Sequence, residues 1–419
     1  MWRTKKGRIF LKKIARKKRF WKAFGNFGIV LCLIAMVLMT VLLIWQAWFV
    51  FGFTPEQKEA LPGPEIALVL PGINPIIPIE YIGYIIIAFI VAIVVHEFSH
   101  GILTIASKLK VKSLGILYLI FPIGAFCEPD EEGLKKAKIK PRMRIYASGP
   151  TANFIVVLIT IFLFSFVCMS SIQPAAIGAH VFSVDEDSPA EKIGLQPGMI
   201  INSFNNTRVT NTTDYFQVLQ DTHANQTTTI RYKKGDKEFN TTVVLTDRYM
   251  EHKKRGYANN ESFKDMGYLG TFLLRDRIFN DYLTVLKNPF KEFPNGLLLF
   301  YIIPLLGYFQ GYNPIVSPFT NSYVISAPFN IIPNNVFWLM VNALYWVFWL
   351  NLAVALFNVL PMVPLDGGFL FKDTIGAVIK RVKKSLSDEQ REEIVKNVSV
   401  TISLLILLLI IFPWLIKYF

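Results

Sequence analysis

The stretch "IVVHEFSHG" (residues 93–101) closes a nearly unbroken apolar run, "YIGYIIIAFIVAIVV" (81–95). Such a run can cross a bilayer, which takes about 20 mostly apolar residues. His96, Glu97 and His100 therefore lie at membrane depth, where an ionisable group costs roughly 2.5–3.5 kcal/mol. Groups placed there against that cost usually have partners and a role. The stretch predicts a membrane-spanning fold with a chemical site inside it.

Further apolar runs of similar length occur along the chain. Apolar residues make up 53% of the sequence and are concentrated in these runs, which indicates several spans. We predict spans at about 27–50, 81–107, 144–172, 336–360 and 397–416. The expected fold class is therefore a polytopic α-helical membrane protein with about five spans.

The distribution of charge predicts the orientation of these spans. Residues 1–26 carry eleven Lys and Arg and no acid, 108–144 carry nine basic against four acidic residues, and 372–396 carry seven against five. The long stretch 173–335 carries fifteen of each. Because an excess of Lys and Arg marks the cytoplasmic side, we expect the N-terminus and the two basic loops inside the cell and 173–335 outside.

The basic N-terminus has two other interpretations. A basic cluster can bind nucleic acid, but one lying directly before a span is more typical of a topology signal in contact with anionic lipid. We therefore expect membrane lipid, and no nucleic acid, as its partner. The run that follows is too long for a signal peptide and lacks a clear cleavage site, so it is kept as a span.

The two histidines have the spacing of a metal site. Residues four apart share one face of a helix, so His96 and His100 can bind one Zn²⁺ while Glu97 takes a proton from water. With five His and thirty Asp and Glu in 419 residues, chance would produce only about 0.004 such patterns. The three cysteines all fall in or beside apolar segments, which argues against a cysteine-based zinc site.

Zinc catalysis normally uses three protein ligands, so a third is needed. The other histidines all lie in the outward stretch: His180, His223 and His252. Asp366, in "NVLPMVPLDGG" (358–368), is the natural candidate, whereas Glu80 lies at the opposite end of its span. Prolines and paired glycines break the helix before and after Asp366, at the same predicted cytoplasmic depth as the histidines. The sequence predicts one zinc ion held by His96, His100 and Asp366.

At these residues the sequence resembles the site-2 protease family of intramembrane zinc metalloproteases. That family pairs a membrane-embedded HExxH with an N-x-x-P-x-x-x-L-D-G segment, which 358–367 matches. "SGPTANF" (148–154) is similar to the family's G-P-x-x-N segment, and "FPIGAFCEPDEE" (121–132) resembles its membrane-embedded strand region. The matches cover roughly 80–172 and 336–370.

The resemblance implies the role of each site residue. His96, His100 and Asp366 are the expected metal ligands and Glu97 the general base. Asn153 and Asn358 are expected to position the substrate backbone or stabilise the oxyanion. For each asparagine an interhelical hydrogen bond is an equally good interpretation, because polar residues in spans often form one.

The segment 176–247 resembles a PDZ domain. It has alternating apolar residues typical of strands, a Ser-Pro-Ala helix start and a hairpin turn, and PDZ domains bind peptides by adding a strand to a sheet edge. The usual carboxylate-binding loop is absent before Val181, and "MGYLGTFL" (266–273) is expected to return a last strand. The apolar stretch 294–312 is predicted to be interfacial or re-entrant rather than a span.

The predicted organisation follows from these segments. It comprises a basic cytoplasmic segment 1–26, a first core part 27–172, the PDZ-like domain 176–247, a connector 248–335, a second core part 336–370, a cytoplasmic amphipathic helix 371–396 and a last span 397–419.

The leading functional hypothesis is an intramembrane zinc metalloprotease that cleaves transmembrane segments of membrane-anchored proteins in regulated proteolysis. The partners expected are transmembrane substrates and a peptide ligand of the PDZ-like domain. The alternative is a non-proteolytic membrane receptor whose metal site is structural or vestigial. An intact HExxH plus Asp argues against the alternative, because structural zinc usually has its fourth position closed by protein.

Overall fold

The computed structural model describes residues 2–3, 5–118, 122–175, 177–235, 237–310 and 313–418. The chain divides into two compact units. Unit 1 comprises residues 1–161 and 343–419, and unit 2 comprises 162–342.

Helices dominate the chain. Their bounds are α1 Lys5–Ile14, α2 Lys18–Phe51, α3 Pro55–Glu59, α4 Ile82–Ala106, α5 Glu131–Lys136, α6 Ile139–Ile161, α7 Pro189–Lys192, α8 Thr212–Gln220, α9 Arg248–Arg255, α10 Asp276–Lys287, α11 Asn295–Tyr301, α12 Ile303–Gln310, α13 Asn334–Asn358, α14 Asp366–Val382 and α15 Asp388–Leu415.

Strands form one sheet in unit 1 and three in unit 2 within the described ranges. Their bounds are β1 Trp2–Arg3, β2 Val111–Tyr118, β3 Pro122–Pro129, β4 Ile172–Pro174, β5 Ala179–Val184, β6 Ile200–Phe204, β7 Thr207–Arg208, β8 Thr227–Lys234, β9 Lys237–Val244, β10 Thr246–Asp247, β11 Gly267–Tyr268, β12 Thr271–Leu273 and β13 Tyr323–Ile325.

Five helical segments in the described chain are long and apolar enough to cross a membrane. They are Lys18–Phe51, Ile79–Ala106, Ile139–Ser171, Asn334–Asn358 and Asp388–Leu415. The predicted polytopic helical fold is thereby confirmed. The first span helix begins nine residues before the predicted apolar run, because Lys and Arg are good helix formers and continue the helix into the basic segment.

The described part of the basic N-terminal segment before α2 is also folded. It forms α1, whose Leu11 and Ala15 are buried against Leu103 of α4 and Leu114 of β2. Strand β1 pairs antiparallel with β2, which pairs with β3, so the strand order in this sheet is β1-β2-β3. The strands predicted from 121–132 are thus present as a hairpin, although residues 119–121 lie outside the described ones.

The predicted single amphipathic helix over 371–396 is wrong. Helix α14 already begins at Asp366 and ends at Val382, and α15 begins at Asp388. The break arises because the Ser387 hydroxyl accepts a hydrogen bond from the Gln390 backbone N–H, while the Gln390 side chain accepts one from the Ser387 N–H. This capping box starts a new helix inside the predicted one.

Unit 2 contains the predicted PDZ-like sheet, with strand order β12-β5-β6-β8-β9 and β7 attached to β6. Its core includes Val181, Ile201, Phe204 and Ile230, all at most 2% exposed. Thr271–Leu273 returns as the edge strand β12 beside β5, as "MGYLGTFL" predicts. The predicted boundary at 247 therefore falls inside this fold, since a strand beyond it completes the sheet.

The apolar stretch 294–312 forms two short helices rather than one long one. Helices α11 and α12 are separated at Ile302, and residues 311–312 lie outside the described ones. Each helix is far too short to span a bilayer. Phe300 of α11 is fully buried and meets Phe164 edge to face at 5.1 Å between ring centroids. This contact holds the stretch against the end of the third span segment, within unit 2.

Candidate metal centre

Helix α4 presents both histidines on one face. His96 and His100 are one helical turn apart, and their ring centroids lie 4.8 Å from each other. They are 8% and 9% exposed. Two buried imidazoles at this separation can direct their Nε2 atoms to one point, as a shared metal ion requires.

Asp366 reaches the same point from the other end of the chain. Its Oδ2 atom lies 3.0 Å from His96 Nε2 and 3.1 Å from His100 Nε2. The three side chains form a group able to hold a metal ion, with their ligand atoms within 4.8 Å of one another. The structure thus brings together the three predicted ligands across about 270 residues of sequence.

The glycines after Asp366 allow this approach. A Cβ at Gly367 would overlap the carbonyl group of Val359, and one at Gly368 would lie 2.5 Å from the Met362 carbonyl carbon. The first turn of α14 therefore packs directly against the preceding broken backbone. Only residues without a side chain fit there, which explains why Asp366 is followed by two glycines.

Gly149 of α6 lines the third side of the metal centre. A Cβ at this position would lie 2.5 Å from the Nε2 atoms of both His96 and His100. The space beside the two nitrogen atoms is open because this residue has no side chain. Gly149 lies within "SGPTANF", but no pattern in the sequence indicates that it faces the two histidines.

Hydrogen bonds on α6 orient one histidine. His100 Nδ1 lies 2.8 Å from the carbonyl oxygen of Ile145 and donates to it, which leaves the Nε2 lone pair for a metal. The Ser148 hydroxyl donates to the same carbonyl at 2.7 Å, and the Ser99 hydroxyl donates to the Ser148 carbonyl at 2.9 Å. His96 differs, because its buried Nδ1 has no partner in the described part of the chain.

Glu97 is held by the strand hairpin rather than by α6. Its Oε2 atom accepts a hydrogen bond of 2.8 Å from the backbone N–H of Cys127 in β3. Cys127 in turn pairs with Leu114 of β2. One carboxylate oxygen is therefore fixed by the sheet, at the residue next to the predicted ligand His96. The sequence contained no local sign of this contact, which spans 30 residues.

The two asparagines have different surroundings. Asn153 is fully buried one turn beyond Gly149, on the same face of α6, and neither polar atom of its amide has a partner in the described chain. Asn358, at the end of α13, is partly buried and donates from Nδ2 to the Val354 carbonyl of its own helix at 3.0 Å. The hydrogen bond of Asn358 is therefore within a helix, not between helices.

These residues fit a zinc ion by their chemistry. Two imidazoles and one carboxylate form a known set for catalytic zinc, which leaves a coordination position open. The glycine at position 149 supplies room beside both nitrogen atoms, and the orientation of His100 is the one that metal-binding histidines usually have.

Comparison of the sequence with protein families supports the same chemistry. The profile of peptidase family M50 matches residues 84–408. An uncharacterised protein of Methanocaldococcus jannaschii is 29% identical over 366 residues, covering 87% of this chain and 74% of that protein. A membrane-bound transcription factor site-2 protease homologue of Arabidopsis thaliana is 21% identical over 284 residues, covering 64% of this chain and 49% of that protein. The chain thus matches about half the length of the plant protein.

Solved structures similar to part of this chain include PDZ domains. The PDZ domain of an SdrC-like protein of Listeria monocytogenes is 22% identical, with a TM-score of 0.19, and covers 24% of this chain and 93% of that domain. Its counterpart from Listeria innocua is 22% identical, with a TM-score of 0.19, and covers 23% and 92%. These likenesses concern the fold alone.

Proposed function

The chain belongs to peptidase family M50, and on that premise we propose that it is an intramembrane zinc metalloprotease that cleaves transmembrane segments of membrane-anchored proteins. The observation that carries the proposal is the meeting of Asp366 with His96 and His100, 3.0 and 3.1 Å from their Nε2 atoms. One zinc ion per chain is the cofactor proposed. When bound, zinc supplies a Lewis acid that polarises a peptide carbonyl.

Glu97 is the proposed general base. It accepts a proton from the attacking water and passes it to the leaving amine, the role of the glutamate in an HExxH helix. The hydrogen bond from Cys127 N–H to Glu97 Oε2 restricts the rotation of its carboxylate. That restriction keeps the base next to the ligand His96, where the reaction needs it.

The substrate is proposed to bind as an extended strand. A transmembrane helix hides its carbonyl groups in hydrogen bonds, so cleavage needs local unwinding. β3 ends the strand order β1-β2-β3, so its outer edge pairs with no other strand among the described residues. Since the Cys127 N–H of this strand contacts Glu97, a paired substrate strand would pass beside the base.

Asn153 and Asn358 are proposed to position the substrate. Asn153 supports this role better, because an amide buried without partners in the described chain is costly unless a ligand satisfies it. Its place on the Gly149 face of α6 directs it to the side of the metal centre. Asn358 already donates to Val354, so only its carbonyl oxygen remains for this role.

The excess of Lys and Arg in 1–26, 108–144 and 372–396 supports a cytoplasmic N-terminus, an extracytoplasmic PDZ-like domain and a site toward the cytoplasmic side. Cleavage in regulated intramembrane proteolysis is the process proposed, with a peptide as ligand of the PDZ-like domain. β12 is one of the edge strands of that sheet, and edge strands are where PDZ domains add a peptide.

The proposal is tested with purified protein in liposomes and tagged single-span proteins as substrates. We expect chelator-sensitive cleavage that Glu97→Gln reduces at least a thousandfold while zinc content stays near one per chain. Glu80→Gln makes the same chemical change at an exposed position before the same helix and should cleave normally. Cleavage by Glu97→Gln at the wild-type rate would remove the assigned base.

A further inference from the structure

Unit 2 contains a second candidate binding site on its β-sheet, a cavity of about 600 Å³. Its lining includes three basic side chains, Arg208, Arg231 and Lys233, together with the polar residues Asn202, Ser203 and Asn206. None of the three candidate metal ligands lines this cavity, so a ligand bound here would be separate from the metal centre.

The register of the sheet places these side chains on one face. Ser203 of β6 lies opposite Arg208 of β7 on one side and opposite Arg231 of β8 on the other. Directly opposed residues share a face of the sheet, and Lys233, two residues after Arg231, shares it too. The neighbouring Tyr232 is buried in the core on the other face. The three cations therefore project from the outer face of the sheet.

The charge of this cavity is not balanced locally. Unit 2 as a whole is neutral in side-chain charge over 173–335, yet none of the three cations forms an ion pair among the described residues. Glu238 lies opposite Lys233 and accepts a hydrogen bond of 2.7 Å from Asn202. It offsets at most one of three positive charges. Neighbouring like charges on a sheet repel, and a bound anion relieves that repulsion.

The cavity lies near the end of the third candidate span. Ala175 lines it and is only four residues after Ser171, where the third candidate span ends. Four residues extend at most about 14 Å. The Ala175 N–H donates to the Ser322 carbonyl at 2.8 Å, and the chain after Ser322 leads to the span beginning at Asn334. Both connections to the bilayer therefore meet beside the cavity.

We propose that this cavity binds the phosphate of an anionic phospholipid headgroup. Arg and Lys side chains with nearby amide and hydroxyl donors match the oxygen atoms of a phosphate. Ile177 also lines the cavity and is 65% exposed, which suits contact with the apolar part of a lipid. An acidic peptide would use the same charges, but the membrane-proximal position and the exposed isoleucine favour lipid. The site does not depend on the proposed proteolysis.

Lipid binding is measured on the purified full-length chain in neutral detergent by native mass spectrometry. The probes are phosphatidylglycerol and, as the zwitterionic comparison, phosphatidylcholine. We expect preferential binding of phosphatidylglycerol, weakened by at least about tenfold in the triple variant Arg208→Gln/Arg231→Gln/Lys233→Gln, since each cation near anionic lipid contributes about fivefold. The matched control, Lys192→Gln/Lys253→Gln/Lys254→Gln, removes three exposed lysines elsewhere in unit 2 and should bind like wild type.

A second variant keeps all three cations. Ser203→Asp places a carboxylate between Arg208 and Arg231, so it should pair with both and also prevent binding. Equal phosphatidylglycerol binding by wild type and both site variants would overturn the proposal. Competition by glycerol 3-phosphate at the same concentration would indicate a site for soluble phosphate, and binding of an oligoglutamate peptide instead of lipid would indicate an acidic peptide site. Either result contradicts the lipid assignment.

Discussion

Gly149 and His100 illustrate how single residues determine the metal centre. The glycine leaves the space that a Cβ would take 2.5 Å from the Nε2 atoms of His96 and His100. His100 donates to the Ile145 carbonyl, which leaves its other nitrogen free to bind the proposed metal. Both effects come from α6, although the histidines themselves belong to α4. At this scale the site depends on the absence of a side chain at Gly149 as much as on the carbonyl group of Ile145.

Gly149→Ala is expected to weaken zinc binding by about tenfold or more, the range typical of changes next to metal ligands. The added methyl group would collide with the Nε2 atoms of His96 and His100. Gly83→Ala, at a helical position with nothing within 4 Å of the new Cβ, is the matched control. Zinc content after competition with a chelator measures the effect. Equal retention by the two variants would show that Gly149 does not shape the site.

At the scale of elements, an ion pair fixes α14 to α6. Arg142 donates from Nε to Asp373 Oδ2 at 3.0 Å and from its terminal nitrogen to Oδ1 at 2.5 Å. Asp373 lies two turns after Asp366 on α14, and Arg142 lies two turns before Gly149 on α6. The bidentate contact therefore connects the helix that carries the proposed third ligand, Asp366, to the helix that lines the histidines.

Arg142→Lys is expected to destabilise the fold by about 2 kcal/mol and to weaken zinc binding, because lysine cannot form the two parallel hydrogen bonds. The control is Arg277→Lys in the pair with Asp281, whose side chains are 93% and 63% exposed. An exposed pair contributes about 0–0.5 kcal/mol. Stability is measured as the free energy of unfolding in mixed micelles, and zinc binding is measured by the chelator-competition assay. Indistinguishable values for the two variants would mean that the Arg142 contact does not position α14.

On the scale of the whole molecule, the chain consists of a unit with the metal centre and a unit with the PDZ-like sheet. The second unit is connected to spans at both of its ends. Its β5 and β12 lie side by side, with the Leu274 N–H donating to the His180 carbonyl at 2.9 Å. The sheet thus begins and ends at neighbouring points, which permits its removal as a block.

Replacement of 178–274 by a short Gly-Ser linker tests the role of this block. We expect zinc to be retained, since no proposed ligand lies in it, and short pre-trimmed substrates to be cleaved as before. Substrates with large outer domains should become cleavable if the PDZ-like domain restricts access. If it recruits substrate instead, all cleavage should fall at low substrate concentration and recover at high concentration. Loss of cleavage at every concentration with zinc retained would contradict both roles.

The orientation in the membrane is a second prediction at this scale. The native cysteines Cys32, Cys127 and Cys168 are buried and can be replaced by alanine. In that background, Asn259→Cys should react with an impermeant maleimide in intact cells, and Lys135→Cys only after permeabilisation, because the positive-inside rule places 108–144 in the cytoplasm. Both positions are exposed in the structure. The reverse labelling pattern would invert the proposed topology.

Local patterns in the sequence determined much of this protein. Spans follow from the length of apolar runs, and the shared face of His96 and His100 follows from a spacing of four residues. Asp366 could be chosen as the third ligand because few ionisable residues lie at membrane depth. The break between α14 and α15 also has a local signal, the capping box at Ser387, which the amphipathic pattern over 371–396 obscures.

Only the tertiary structure decided the contacts between distant segments. Three such contacts are the approach of Gly149 to the histidines, the hydrogen bond from Cys127 to Glu97 and the Arg142–Asp373 pair. Their partners lie 30 to 231 positions apart in the sequence, and no spacing rule connects them. The basic cavity likewise depends on the register of β6, β7 and β8, which places Arg208 and Arg231 on either side of Ser203. A sequence shows which side chains are present, whereas packing sets which of them share a face, because that depends on backbone pairing across the whole chain.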